Sequence, residues 1–256
     1  APPVTPVPIV VTSTSTPSAC RRGLAMNDKV KVWDMPVRAF HWILAVSFAG
    51  AYALSESERL RNVHVMLGYT VLGLLAFRLV WGFVGTRYAR FRSFAFSPLA
   101  AIRHLRDELT GRAPRYVGHN PAGSWAIYGL LLLGAATGVT GYLTFNEIGG
   151  EAFEEVHEVL ANAWLLLVVV HVIAVVMSSV VHRENLVRSM ITGDKPGALD
   201  AAAPRNARAL GVTLAAAVLG FWAWSLSGFD IAGVSPAYAD DAEHSRVAAD
   251  DENDDD

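Results

Sequence analysis

The chain has 256 residues, 52% of them apolar and only 18% charged, with a mean hydropathy of +0.32. A water-soluble domain carries about 25% charged residues, so a disordered chain is excluded and an ordinary cytosolic enzyme is disfavoured. The single cysteine, Cys20, excludes an internal disulfide, a cysteine-rich zinc site, a four-thiolate iron–sulfur cluster and a C-x-x-C-H haem attachment.

Residues 1–28 begin with a Pro/Thr/Ser-rich tract that has no charge from Ala1 to Pro17. Such a composition cannot build a core and reads as a disordered tail, with Met26 a candidate start of the folded part. A signal peptide is not indicated, because no basic region precedes the short, proline-interrupted Val7–Val11 run. Five apolar stretches follow: Val37 to Leu54, Val63 to Val84, Ser124 to Phe145, His157 to Val181 and Ala209 to Gly228. Each is near the length of about 20 residues that crosses a bilayer. The expected fold is an all-α membrane protein, a four-helix bundle (residues 29–195) with a linker and fifth helix over 196–228. Residues 97–110, with Ser97-Pro98 ahead of Leu99, Ile102, Leu105 and Leu109, read as a capped amphipathic helix. It would lie along the cytoplasmic surface or plug the helix ends.

Basic residues set an orientation. Lys29, Lys31 and Arg38 precede or open the first stretch; Arg87, Arg90, Arg92, Arg103, Arg106, Arg112 and Arg115 follow the second; Arg183, Arg188, Lys195, Arg205 and Arg208 follow the fourth. The opposite loops hold Arg59 and Arg61, and the acidic Glu147, Glu151, Glu154 and Glu155. The positive-inside rule then places the N-terminus in the cytoplasm and the C-terminus across a bacterial inner membrane. The segment 229–256 has ten acids against Arg246, which predicts a disordered acidic tail in the periplasm.

Polar side chains inside membrane helices mark pathways or cofactors. Here they are four histidines: His41, His64, His157 and His171. His157 and His171 are 14 residues apart, about 21 Å along a helix and only about 40° from the same face. Chain direction puts His64 at the depth of His157, and His41 toward the depth of His171. That match needs the fourth stretch to project past the inner surface. A lone membrane histidine commonly serves as an interhelical hydrogen-bond donor; four sorted into two pairs suit bis-imidazole ligation of haem iron, since neutral imidazole adds no charge to the interior. A zinc site fits less well, with no carboxylate or thiol beside the deeper pair and no H-E-x-x-H. Arg78, 14 residues beyond His64, and Arg38, one turn before His41, are candidate partners for haem propionates. Arg78 could equally snorkel to the headgroups.

These residues resemble the bacterial di-haem cytochrome b561 family, which includes the b-type subunits of nickel–iron hydrogenases. The resemblance runs from about Val32 to Gly193. It rests on Trp33-Asp34-Met35-Pro36-Val37-Arg38-Ala39-Phe40-His41-Trp42, His64 with Gly68-Tyr69, Arg78 to Gly85, Gly118-His119-Asn120-Pro121-Ala122-Gly123, and His157 with His171. It implies two b-type haems held by the four histidines, and electron exchange between the quinone pool and a partner. The fifth helix and acidic tail depart from the family pattern. The chain looks most like members that serve a periplasmic c-type cytochrome, which implies electron transfer in the manner of a quinol:cytochrome oxidoreductase. Anchoring a hydrogenase is the alternative, ahead of superoxide:quinone oxidoreduction or a redox-silent haem carrier. Membrane lipid is an expected partner and nucleic acid is not.

Overall fold

The computed structural model describes residues 29–196 and 206–227. In chain order these form β1 (Lys29–Lys31), α1 (Met35–Ala53), α2 (Arg61–Val84), α3 (Pro98–Leu109), α4 (Pro121–Phe145), α5 (Glu151–Val181), α6 (Leu186–Thr192), β2 (Asp194–Pro196) and α7 (Arg208–Leu226). The N-terminal tract, most of the linker before α7 and the acidic tail lie outside the described residues.

Among the described residues, four helices are long and apolar enough to cross a membrane: α2 with the 3-10 turn before it, α4, α5 and α7. The protein is an all-α membrane bundle. The fifth expected span, α1, is 19 residues long, as α7 is, but Pro36, Arg38 and His41 lower its hydropathy and it is not among the four. Where the apolar pattern begins at His157, α5 begins at Glu151 and runs for 31 residues. At 1.5 Å per residue that is about 46 Å, well beyond a hydrocarbon core of about 30 Å.

α1 packs on α2 and α7, α2 on α4, and α4 on α5 and α3. α5 reaches α1 through large side chains: the Phe48 and Trp164 rings lie 4.3 Å apart, and Tyr52 donates to Asn162 Oδ1 at 2.7 Å. The backbones of α1 and α5 thus stay apart, leaving space inside the bundle. α7 closes the outside of α1. A Cβ at Gly211 would stand 2.5 Å from Met35 Cγ, and Trp222 Nε1 donates to Thr70 Oγ1 at 2.9 Å.

The end of the bundle where α1 begins is capped by structure that periodicity did not reveal. β1 pairs antiparallel with β2, Val30 opposite Lys195, and burial of Val30, Val32 and Trp33 anchors the pair. Three-residue strands are too short to show alternation, and α6 is barely two turns. The α3 helix forms with Ser97 as its N-cap, and Leu99, Ile102, Leu105 and Leu109 are exposed, while His104 and Glu108 are buried. A plug would turn the leucine stripe inward; here the polar face docks instead, with His182 Nε2 donating to Glu108 at 3.2 Å.

Asp34 joins these parts. Its Oδ1 caps α1 by accepting from Val37 N at 2.8 Å. Its Oδ2 accepts from Trp81 Nε1 at 3.1 Å and Thr86 Oγ1 at 2.6 Å, tying the start of α1 to the end of α2. Asp34→Ala removes a cap worth about 1 kcal/mol and strands two donors. A loss of about 2–4 kcal/mol is expected, measured as unfolding of the detergent-solubilised protein, with Asp34→Asn recovering part of it.

Candidate cofactor site between α1, α2, α4 and α5

A cavity of about 590 Å³ opens between these four helices, lined among others by Phe48, His64, Gly68, Gly141, His157 and Trp164. That volume is in the range of small-molecule and cofactor sites. His64 comes from the first turn of α2 and His157 from the second turn of α5, so helices running in the same direction place both imidazoles at one level.

The two rings stand 6.3 Å apart, centroid to centroid, with planes at 81°. Each has its Nδ1 occupied by backbone: His64 Nδ1 donates to Ala51 O at 2.8 Å, and His157 Nδ1 to Thr137 O at 2.9 Å. Both are therefore set in the tautomer whose Nε2 lone pair is free, the arrangement found in metal-bound imidazoles. Ala51 lies in the last turn of α1, where its carbonyl accepts from the C-cap Leu54 N at 3.2 Å and keeps a lone pair for the imidazole. Thr137 lies inside α4, and its carbonyl uses a second lone pair. Access to it depends on Gly141, one turn on: a Cβ there would sit 2.8 Å from His157 Cε1.

A haem fits these observations. Two metal–nitrogen bonds of about 2 Å and two ring half-widths of about 1 Å put the centroids of two imidazoles on one metal roughly 6 Å apart. A Cβ at Gly68, one turn after His64, would meet nothing within 4 Å, so the α2 wall is open where a flat macrocycle would lie. Among the described residues no group of three or more His, Cys, Asp or Glu gathers as a metal-ion site. The pair stands as a pair.

The deeper residues are arranged differently. No ring contact joins His41 and His171, and His41 Nδ1 is buried without a partner. Arg78 is 3% exposed, with its guanidinium 5.0 Å from the Phe91 ring and Nη1 buried and unpaired. Snorkelling would have exposed it; the orphaned nitrogen instead suits a carboxylate. Arg38 is committed elsewhere: it donates to Thr192 O and approaches Met35 Sδ at 3.0 Å, leaving Nε buried and unpaired.

His119, named above only within a motif, belongs to this inner end. Its ring lies 4.6 Å from Trp33 and 4.4 Å from Phe94. Burial, reinforced by the Arg78 and Lys195 cations, pushes the imidazole down to about 3. Below the unfolded value of about 6.5, the unfolded chain takes up a proton that the folded chain refuses, so stability is lost as pH falls from there toward 3. Going from pH 7 to 4 should cost roughly 3 kcal/mol through this group. His119→Phe should flatten that part of the stability–pH curve; an unchanged slope would contradict the assignment.

Comparison with known proteins adds to this geometry. Residues 32–193 match the family model described as prokaryotic cytochrome b561. A probable Ni/Fe-hydrogenase B-type cytochrome subunit of Rhizobium leguminosarum bv. viciae is 24% identical, over 66% of this chain and 90% of its own length. One of Azotobacter vinelandii is 27% identical, over 64% and 87%. The probable Ni/Fe-hydrogenase 1 B-type cytochrome subunit of Escherichia coli K12 is 25% identical, over 45% and 60%. No solved structure matches. With the family model covering more than half of the chain, and imidazoles poised across a bundle cavity, this protein belongs to the prokaryotic cytochrome b561 family and is a transmembrane b-type cytochrome.

Proposed function

We propose that the chain holds two b-type haems, one between His64 and His157 and one between His41 and His171. It would pass electrons between the quinone pool and a redox partner on the periplasmic side. The observation that carries this reading is the outer imidazole pair, with both Nδ1 atoms tied to backbone and both Nε2 atoms free. Haem iron supplies reversible one-electron chemistry when bound between two imidazoles. The protein's own residues do the rest. The Ala51 and Thr137 carbonyls hold the tautomers, Gly68 and Gly141 leave room, and Arg78 supplies a buried cation for a propionate. Arg38 is a second candidate for that role through its unpaired Nε. The basic loops support a cytoplasmic N-terminus in the bacterial inner membrane, with the His64–His157 level toward the periplasm.

Reduced-minus-oxidised spectra and haem counts on the purified protein test this. Two low-spin b centres per chain are expected. His64→Ala or His157→Ala should remove one centre, and His41→Ala or His171→Ala the other. One haem in the native chain would overturn the reading.

Around the outer cavity the exposed carboxylates Glu58, Glu151, Glu154, Glu155 and Glu158 would raise the encounter rate of a basic partner such as a c-type cytochrome. Replacing Glu151, Glu154 and Glu155 with Gln should slow reduction of such a cytochrome at low ionic strength and have little effect at high salt. The names of the relatives favour a second reading, in which the partner is a nickel–iron hydrogenase. Co-purification of a nickel-containing subunit would select it.

A further inference from the structure

A seven-residue interval runs through the helices that carry the histidines: His41 and Phe48 on α1, His64, Val71 and Arg78 on α2, and His157, Trp164 and His171 on α5. Seven residues advance a helix by about 10 Å and return to within about 20° of the same face. Trp164 therefore stands midway between the two α5 imidazoles. Phe48 stands one such step from His41 toward the cavity.

The two rings meet there, 4.3 Å apart and tilted by 52°, and both border the outer cavity. Trp164 is only 4% exposed. The opposite helix makes room for it, since a Cβ at Gly134 would lie 2.6 Å from Trp164 Cζ2. Yet the indole Nε1 is buried without a hydrogen-bond partner. A buried unsatisfied donor is destabilising, a cost that a leucine or phenylalanine filling this space would not carry. Filling alone does not account for a tryptophan here.

We propose that Phe48 and Trp164 form an aromatic bridge between the two haem positions, through which an electron crosses from one to the other; this rests on the di-haem reading above. One electron leaves the reduced position and arrives at the oxidised one. No bond is made or broken, no proton moves, and both rings end as they began.

The test uses the full-length haem-loaded protein and its Trp164→Phe, Trp164→Leu and Phe48→Leu variants. Haem per chain and both midpoint potentials are measured first, then the rate at which a photochemically injected electron equilibrates between the two centres. Because both side chains line the cavity, each variant's rate is compared with the native rate after allowance for its own measured haem content and driving force. Transfer should be severalfold slower in both leucine variants and near native in Trp164→Phe. If Trp164→Leu does not load fully, Phe48→Leu decides. Native rates in the leucine variants overturn the bridge and leave the di-haem assignment standing. A native chain with one haem overturns the di-haem assignment itself, so the two failures are distinguishable.

Discussion

Two backbone carbonyls, Ala51 O on α1 and Thr137 O on α4, each take the Nδ1 hydrogen of an imidazole from the neighbouring helix. In a lipid-embedded bundle an imidazole without such a partner would swing to whatever polar group it could reach. With the partner, each ring is locked in one tautomer and one direction, its second nitrogen free. The two carbonyls are available for different reasons. Ala51 sits where α1 frays into the next turn, and Thr137 is reachable because Gly141 carries no side chain to cover it. The geometry of the imidazole pair is thus held by backbone.

The bundle around this pair is organised to keep a gap open. α1 and α5 do not pack backbone to backbone; they are held apart by Phe48 against Trp164 and by Tyr52 bonded to Asn162. Small residues on α4 take up the bulk that results, Gly134 against the indole and Gly141 against His157. The close contacts lie elsewhere, α4 along α5 and α1 along α2 and α7. A tightly packed four-helix core would have no volume left for a macrocycle.

At the opposite end the structure is knitted by polar groups. Asp34 unites α1 and α2, Glu108 and His182 unite α3 with the end of α5, and the β1–β2 pair ties the segment before α1 to the one after α6. Arg78 and His119 lie buried among these elements. A cation and a neutral imidazole, both with unpaired nitrogens, make this the polar floor of the bundle's inner end.

The helical membrane class, the segregation of basic and acidic loops and the matched depth of His64 and His157 were legible in the chain itself. Long apolar runs, charge segregation and a 14-residue repeat are local properties that survive without any knowledge of packing. Asp34 and Asn120 stood in motifs that carried the resemblance alone, and folding shows each capping the helix that follows by accepting from the backbone three residues on. What folding alone decided involves partners far apart in sequence: which carbonyl each Nδ1 meets, that α3 turns its leucines outward, that two three-residue strands find one another, and that Arg38 bonds to Thr192, 154 positions away, while Arg78 stays buried. A side chain's type states what it can bond; only the packed helices determine which group comes within reach.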